Sequence, residues 1–338
     1  MYSLHNKTVL ITGATGLIGS HLVDELMVLG DVKIIALSRS QKKLEKGFAD
    51  YLSDPNFTCL ARDISQPLSI QERIDFIFHA AGPMEGKIIA NSPLDVINPN
   101  LIGVQNCLEL LHTQEAITGV RGRLVVFSSV TVYRNIGSSD LTVTETETAI
   151  TETLDGGGAP YSQSKRMAEV IAQAYRKQYH VDVVIARFST VYGDTRFRPD
   201  TAFFEFIKKA VAGEKIILNG EGMPRRDNIY IDDAVLALLA VAQNGVEGEA
   251  YNISSNGALG NYAAVDEIAQ AIADASNLKF NRKPDECVKI FYKGGQRKPG
   301  LMLDNGKLQG LNWTLQTSLT QGIMNAVNTY VGSTESCT

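Results

Sequence analysis

The sequence predicts an α/β fold in which a doubly wound parallel sheet is followed by a smaller C-terminal lobe. Over the first two thirds of the 338 residues, short and almost uniformly apolar runs alternate with helical segments. Such runs are typical of strands covered on both faces, and strand–helix alternation is typical of a parallel sheet. After about Gly193 the alternation becomes irregular. We therefore expect one domain over residues 1–192 and a lobe mainly over residues 193–332, with some segments returning to the first domain.

The individual elements follow from the same apolar patterns. Strands are predicted at residues 8–12, 33–37, 57–61, 76–79, 123–128 and 181–186. Helices are predicted near residues 20–29, 95–112 and 161–179, and in the lobe at 200–213, 232–242, 263–275 and from Leu319 onward. Residues 138–160 are polar and acidic, and so long a stretch without periodicity is usually functional or mobile. We expect a flap beside the ligand crevice, with a solvated surface insertion as the alternative.

Composition and charge exclude several classes of protein. The formal net charge is −5 and no basic block stands out, so nucleic acid is not expected as a partner. No apolar run approaches the roughly 18 residues that cross a bilayer, and the first residues lack a signal-peptide pattern. We therefore expect a cytoplasmic protein that does not enter a membrane. None of the four cysteines forms a C-x-x-C pair, so reduced thiols and no metal site are expected.

A glycine-rich loop follows the first predicted strand. Its sequence is Thr-Gly-Ala-Thr-Gly-Leu-Ile-Gly from Thr12 to Gly19, and a helical pattern comes next. Glycines at 13, 16 and 19 permit a tight turn, close approach of a pyrophosphate and tight packing of helix on strand. The helix N-terminus offers free N–H groups to phosphates. This context predicts a Rossmann-type NAD(P) site, with loop contacts from Gly13, Thr15, Gly16, Leu17, Ile18 and Gly19.

The end of the second strand bears on the choice between NAD and NADP. No carboxylate stands there to bind the adenosine ribose, whereas Ser38 and Arg39 are present, and an arginine can pair with a 2′-phosphate. We therefore favour NADP(H) slightly over NAD, although Arg39 could instead stack on adenine or face solvent. Further cofactor contacts are expected from residues at the ends of the next strands, namely Asp63, Ile64, Ala80, Ala81, Gly82 and Ser128.

A candidate catalytic group follows the fifth strand. Tyr161 and Lys165 are four residues apart at the start of a predicted helix and share one face. An ammonium beside the phenol favours the phenolate, so Tyr161 can remove a proton from a substrate hydroxyl or return it. Ser129 ends a strand, and the carboxyl ends of such strands line the ligand crevice. We expect Ser129 to hold the substrate oxygen beside Tyr161 and Lys165.

These motifs together resemble the extended short-chain dehydrogenase/reductase family, in its NAD-dependent epimerase/dehydratase branch. The resemblance includes the glycine loop, His-Ala-Ala-Gly at 79–82, Ser-Ser-Val-Thr-Val-Tyr at 128–133, Tyr-Ser-Gln-Ser-Lys at 161–165, residues 187–193 and residues 225–233. It implies a nucleotide diphosphate sugar as substrate and a homodimer packed through helices 95–112 and 161–179. It also implies substrate contacts from Asn100, Ser129, Thr131, Thr190, Arg226 and Arg297.

The reaction within that family is predicted from position 131. Dehydratases and decarboxylases of this branch carry an acid there, whereas this chain has Thr131, as in UDP-galactose 4-epimerases. The resemblance therefore favours an epimerase that transiently oxidises a sugar carbon, in particular C4. The alternative is an NADPH-dependent 4-keto sugar reductase, which Arg39 would suit. A lyase remains open if the flap supplies Glu145, Glu147 or Glu152, and a non-catalytic NADP sensor is the alternative outside enzymes.

Overall fold

The computed structural model of the chain describes residues 4–133, 140–147, 153–218, 222–292 and 296–335. Its strands are β1 (Lys7–Thr12), β2 (Val32–Ser38), β3 (Phe57–Ala61), β4 (Phe76–His79), β5 (Arg123–Ser129), β6 (Leu141–Val143), β7 (Asp182–Phe188), β8 (Thr190–Tyr192), β9 (Ile216–Leu218), β10 (Gly222–Tyr230), β11 (Ala250–Ile253), β12 (Tyr262–Ala264), β13 (Ile290–Tyr292) and β14 (Gln296–Leu303). Its α-helices are α1 (Leu17–Leu29), α2 (Gln41–Gly47), α3 (Gly86–Asn91), α4 (Leu94–Thr118), α5 (Ala159–Tyr179), α6 (Ala202–Val211), α7 (Ile231–Asn244), α8 (Val265–Lys279), α9 (Gly306–Gln309) and α10 (Leu319–Glu335).

The main sheet has seven parallel strands in the order β11-β7-β5-β4-β1-β2-β3. Residues of β1 alternate between its two faces, so that Val9 and Ile11 join one apolar core and Leu10 joins the other. Helices α1 and α7 cover the first face, and α4 and α5 cover the second. The predicted doubly wound parallel sheet is therefore confirmed.

The C-terminal part contributes a second, smaller sheet in the order β12-β10-β14-β6, to which β8 adds through β10. Helices α6, α8 and α10 pack against one another beside it. Strand β6 comes from the segment predicted as a flap and pairs in parallel with β14, so Leu141 lies opposite Leu301. Strand β11 instead returns to the main sheet beside β7.

Most helix bounds differ from the predicted ones by a few residues, and for α1 and α4 the reason is local. Helix α1 begins at Leu17, because Gly16 already adopts the N-cap position directly after the glycine turn. Helix α4 continues to Thr118, well beyond the predicted end at residue 112, and ends at Gly119 with a left-handed φ of 70°. Its last turns are largely polar, so they lack the apolar periodicity from which the helix was predicted. Within the described ranges, no helix combines the length and the apolar character that a bilayer span requires.

Candidate active site

A cleft of about 660 Å³ opens at the carboxyl ends of the main-sheet strands and is closed on its far side by the second sheet. Thr12, Leu37 and His79 lie side by side across β1, β2 and β4, so the loops after these strands meet there. The cleft is lined by predicted site residues from every part of the chain: Gly13, Thr15, Gly16, Leu17, Ile18, Gly19, Ser38, Arg39, Asp63, Ile64, Ala80, Ala81, Gly82, Ser128, Ser129, Thr131, Tyr161, Lys165, Thr190 and Arg226.

The glycine loop packs too tightly for side chains at two of its positions. Gly13 has a φ of 68°, and a Cβ there would lie 2.7 Å from the Ala81 backbone nitrogen. A Cβ on Gly19 would lie 2.5 Å from the Gly13 carbonyl oxygen. No side chain caps the N-terminus of α1, where Gly16 is the N-cap. The first N–H groups of α1 therefore face the cleft as an anion site, which fits a dinucleotide pyrophosphate.

Two arginines line the other end of the dinucleotide cleft. Thr15 and Ser38 hydroxyls hydrogen-bond at 2.9 Å and connect the glycine loop to β2. The exposed side chains of Arg39 and Arg62 follow β2 and β3, and neither forms an ion pair with a described residue. Sequence reasoning considered Arg39 and missed Arg62, although Arg62 directly precedes the predicted contact Asp63. Only the parallel pairing of β2 with β3 brings the two arginines to one edge.

Tyr161 and Lys165 meet Ser129 at the centre of the cleft. The Lys165 Nζ is 5.7 Å from the centre of the Tyr161 ring and donates to the Phe127 carbonyl oxygen at 2.8 Å. The Ser129 Oγ accepts from the Thr131 backbone nitrogen at 3.2 Å and hydrogen-bonds the phenol. Helix α5 and strand β5 thus supply a phenol, an ammonium and a hydroxyl at one point.

Burial sets the protonation of this group. It raises the pKa of the Tyr161 phenol, and the hydrogen bond with Ser129 partly opposes that rise. It lowers the pKa of Lys165 to about 8, and the negative charge of Glu169 acts in the opposite direction. A positive charge beside the phenol is therefore needed before Tyr161 can act as a base near neutral pH.

Asn100 and Gly82 border Lys165 on the side of α4. The Asn100 Nδ2 donates to the Ser164 Oγ at 2.9 Å, whereas its buried Oδ1 has no partner among the described residues. A Cβ on Gly82 would lie 2.4 Å from that oxygen and 3.3 Å from the Lys165 Nζ. The space kept by Gly82 therefore leaves one unsatisfied acceptor beside the Lys165 ammonium, but Asn100 is buried and, unlike Lys165, does not line the cleft.

A buried ion pair between α5 and β7, which the sequence analysis missed, stabilises the helix that carries Tyr161 and Lys165. Arg187 binds the Glu169 carboxylate through two nitrogens, at 2.9 and 2.8 Å. The Ser128 Oγ donates to the same carboxylate at 2.5 Å, and Arg187 also donates to the Tyr133 hydroxyl at 3.0 Å. Glu169 lies four residues after Lys165 on the same face of α5, which is the one sequence signal that could have pointed to it.

His79 links two walls of the cofactor cleft. The carbonyl oxygen of Pro99 lies 3.0 Å from the His79 Nε2 and can only accept, so Nε2 carries the proton. The Thr12 hydroxyl then donates to the His79 Nδ1 at 2.9 Å and accepts from the Ala81 backbone nitrogen at 3.3 Å. Burial lowers the pKa of His79 to about 3, so the ring is neutral and holds the loop after β4.

Strand β10 contributes two arginines, Arg225 and Arg226, to the cleft wall. Arg226 is exposed to the cleft and forms no ion pair with a described residue. Arg225, which sequence reasoning passed over, stacks 4.6 Å from the Tyr262 ring centre and donates to the Tyr262 carbonyl at 3.1 Å. Thr190 pairs with Asn228 of β10 at the cleft wall. The side chain of Arg297 lies outside the described residues.

The acids of the predicted flap are not found in the cleft. The Glu145 Oε1 accepts from the Asn252 backbone nitrogen at 2.9 Å, and the Glu145 carbonyl accepts from Arg187 at 2.9 Å. Neither Glu145 nor Glu147 lines the cleft, and Glu152 lies outside the described residues. The part of the chain that the structure describes also contains no cluster of metal-ligating side chains, and its cysteines are free thiols.

The fold and the site together define a dinucleotide-binding α/β protein with a tyrosine–lysine pair at the cofactor cleft. A family model described as the NAD dependent epimerase/dehydratase family matches residues 9–254. The chain therefore belongs to the NAD-dependent epimerase/dehydratase family, and the resemblance inferred from its motifs is confirmed.

Curated proteins with similar sequences are named for several different reactions. A trifunctional UDP-glucose 4,6-dehydratase/UDP-4-keto-6-deoxy-D-glucose 3,5-epimerase/UDP-4-keto-L-rhamnose-reductase of Arabidopsis thaliana is 27% identical over 99% of this chain and 48% of its own length. The UDP-glucuronic acid decarboxylase 1 of Xenopus tropicalis is 30% identical over 71% of this chain and 54% of its own length. The chain thus spans about half the length of these relatives.

Solved structures share the fold over nearly the whole chain. A dTDP-glucose 4,6-dehydratase from Bacillus anthracis in complex with NAD has a TM-score of 0.78 at 24% identity, covering 97% of this chain and 98% of that one. A UDP-glucuronic acid 4-epimerase from Bacillus cereus in complex with UDP-glucuronic acid and NAD has a TM-score of 0.75 at 22% identity, covering 97% and 99%. Both likenesses establish the fold.

Proposed function

We propose that this chain is an NAD(P)-dependent epimerase that acts on a nucleotide diphosphate sugar by transient oxidation of a sugar carbon, in particular C4. The observation that carries the proposal is the grouping of Tyr161, Lys165 and Ser129 in the same cleft as the glycine loop. That grouping supplies a base, a charge and an oxygen-binding hydroxyl beside the cofactor position. The nicotinamide, when bound, supplies the redox chemistry at the sugar carbon.

Each side chain has a defined task in this reaction. Ser129 holds the substrate hydroxyl, and the Tyr161 phenolate removes its proton as the carbon is oxidised. Lys165 stays in place through its bond to the Phe127 carbonyl, and its charge stabilises the phenolate. In the second half of the reaction, Tyr161 returns the proton to the same oxygen. The cofactor ends in its original oxidation state, so no second substrate is consumed.

The substrate assignment rests on the basic wall of the cleft. Arg226 presents a guanidinium without an ion-pair partner among the described residues, and a diphosphate can accept two hydrogen bonds from such a group. Relatives and structural neighbours are named for UDP- and dTDP-linked sugars. Asn100, whose Nδ2 donates to Ser164, is buried and does not line the cleft, so the sugar contact expected of it does not support the assignment.

Thr131 and Glu145 favour epimerisation over elimination or decarboxylation. Dehydratases and decarboxylases of this branch carry the acid that moves protons at position 131, where this chain has a threonine. Glu145 is committed to the Asn252 backbone outside the cleft. A proton shuttle through Tyr161 alone is sufficient for an epimerase.

An NADPH-dependent 4-keto sugar reductase is the second candidate, and Arg39 with Arg62 favours it. Two guanidiniums at the ends of β2 and β3 suit the 2′-phosphate that distinguishes NADP(H) from NAD. The same catalytic group would then donate a proton to a ketone, and NADPH would be consumed. NADP(H) is accordingly the cofactor that we propose.

The retained cofactor and its turnover separate the two candidates. Mass spectrometry of the purified protein would identify any bound dinucleotide, and a panel of UDP- and dTDP-sugars would then be incubated without added cofactor. An epimerase interconverts one sugar pair under these conditions. Strict dependence on added NADPH with a 4-keto sugar would instead identify the reductase.

Replacing Tyr161 with Phe tests the enzyme assignment itself. We expect Tyr161→Phe to lower kcat by about 10²- to 10⁴-fold, because the proton acceptor is removed while the ring remains. Tyr175→Phe is the matched control, since Tyr175 lies on the same helix and bonds Glu109 outside the cleft. Near-normal turnover in Tyr161→Phe would contradict the mechanism.

A further inference from the structure

Glu85 is a cleft residue for which the proposed reaction has no use. It lies at the N-terminus of α3, three residues after Gly82, and lines the cleft together with Met84 and Ile88. Three residues of chain span at most about 10 Å. Because Gly82 borders the Lys165 ammonium, the Glu85 backbone lies within about 10 Å of the part of the cleft that contains Lys165.

No described cation compensates the Glu85 carboxylate in the cleft. Its Oε2 accepts from the Met84 backbone nitrogen at 3.1 Å, and it forms no ion pair with a described residue. The neighbouring Lys87 pairs with Asp200 at 2.9 Å instead. By contrast, Asp227 is buried and accepts from the nitrogen and hydroxyl of Ser255 and from the Leu303 nitrogen, at 3.2, 2.5 and 3.0 Å.

The cations of the cleft have other partners or other tasks. Lys165 is bonded to the Phe127 carbonyl, and Arg225 stacks on Tyr262. Arg226 is the guanidinium assigned to the diphosphate. A sugar carboxylate in this cleft would therefore meet the negative charge of Glu85 without a cation reserved for it.

Resting on the proposed function, we infer that Glu85 makes this site select nucleotide-linked sugars that are uncharged over nucleotide-linked uronic acids. The carboxylate accepts hydrogen bonds from sugar hydroxyls and repels a carboxylate at the same place. The substrate class is thus a neutral hexose or deoxyhexose on a nucleoside diphosphate. The UDP-glucuronic acid relatives would differ from this chain in that respect.

Calorimetric binding of UDP, UDP-glucose and UDP-glucuronic acid tests the inference without requiring turnover. The two sugar nucleotides differ only at C6, so their affinity ratio isolates the sugar charge. We expect the wild-type protein to prefer UDP-glucose by about tenfold, the size of one charge pair about 6 Å apart in a partly hydrated site. Glu85→Gln should reduce that ratio to near one, mainly by tighter binding of UDP-glucuronic acid.

Glu205→Gln is the matched control. Glu205 lines an adjoining hollow of about 340 Å³ that also touches Glu85, but it lies outside the main cleft and pairs with Lys209 at 3.3 Å. Its removal changes the net charge equally and should leave the ratio unchanged. Equal affinities in the wild type, or a ratio that Glu85→Gln does not alter, would overturn the inference about Glu85 and leave the proposed function standing. If UDP, dTDP and their glucose conjugates all fail to bind, the proposed function fails, whatever the role of Glu85.

Discussion

Lys165 is subject to two opposing demands at the scale of a single residue. In the proposed reaction it carries a positive charge that stabilises the Tyr161 phenolate, yet it is buried and its ammonium is desolvated. Burial lowers its pKa to about 8, with Glu169 opposing the shift. The ammonium is therefore present below about pH 8 and is lost as the pH rises through that value.

The pH dependence of kcat/KM follows from this sign. We expect kcat/KM to fall as the pH rises through about 8, because the deprotonated Lys165 no longer favours the phenolate. Lys165→Arg keeps its charge at every accessible pH, so any activity that remains should show its falling limb at higher pH. Circular dichroism would verify that the variant folds. If kcat/KM of Lys165→Arg falls at the same pH as in the wild type, the titrating group is not Lys165.

At the scale of elements, the turn between β1 and α1 is fixed by backbone contact. Gly13 has a left-handed φ of 68°, and any Cβ there would meet the backbone of the loop after β4. Gly30, at the other end of α1, has a φ of 66° but faces open space. The two glycines share a positive φ but differ in what surrounds them.

Substituting both glycines separates these effects. We expect Gly13→Ala to abolish dinucleotide binding, because the added methyl pushes the loops of β1 and β4 apart at the pyrophosphate site. Gly30→Ala should bind dinucleotide normally and lose only the stability that its strained backbone costs, about 1–3 kcal/mol, because φ 66° and ψ 172° suit glycine alone. Fluorescence titration with NADPH and NADH measures dinucleotide binding by both variants. Binding retained by Gly13→Ala would argue against this loop as the phosphate site.

The Glu169–Arg187 pair joins α5 to β7 and stabilises the elements that present Tyr161 and Lys165. Its two charges are both more than 90% buried, so removing one leaves the other without compensation. We expect Glu169→Gln to lower the free energy of unfolding by about 3–5 kcal/mol, measured by urea denaturation. Asp200→Asn, which breaks the exposed pair with Lys87, should change it far less. Similar effects in both variants would show that burial does not distinguish the two pairs.

At the scale of the whole molecule, α4 and α5 form the outer layer on one face of the main sheet. Met167 and Val170 of α5 and Ile102 of α4 are large apolar residues with exposed fractions of 48%, 52% and 40%. Such residues on a neighbouring pair of helices suit a symmetric contact between two copies. We propose that the homodimer expected from the sequence forms through this face.

Sedimentation velocity tests the dimer. We expect Val170→Glu to convert a dimer of 36.8-kDa chains into monomers, because a charge would be buried at the symmetric contact. Val28→Glu is the control, since Val28 is 82% exposed on α1, away from the α4–α5 face. A wild-type monomer, or a dimer unaffected by Val170→Glu, would exclude this interface.

The sequence by itself determined the features that depend on short separations along the chain. Six strands of the main sheet were readable as apolar runs, and the glycine loop and the Tyr161–Lys165 spacing were readable because a turn and a helix fix geometry within a few residues. The family followed from these motifs. Their order along the chain also implied the parallel sheet, since strands separated by helices must cross over.

The tertiary structure alone decided the features that join distant residues. It brought Arg62 beside Arg39, bonded Glu169 to Arg187, and turned Glu145 away from the cleft to the Asn252 backbone. It also made residues 141–143 a strand paired with residues 301–303. The physical reason is that a side chain's partner depends on which strands are neighbours and in what register, and local composition carries almost no record of either.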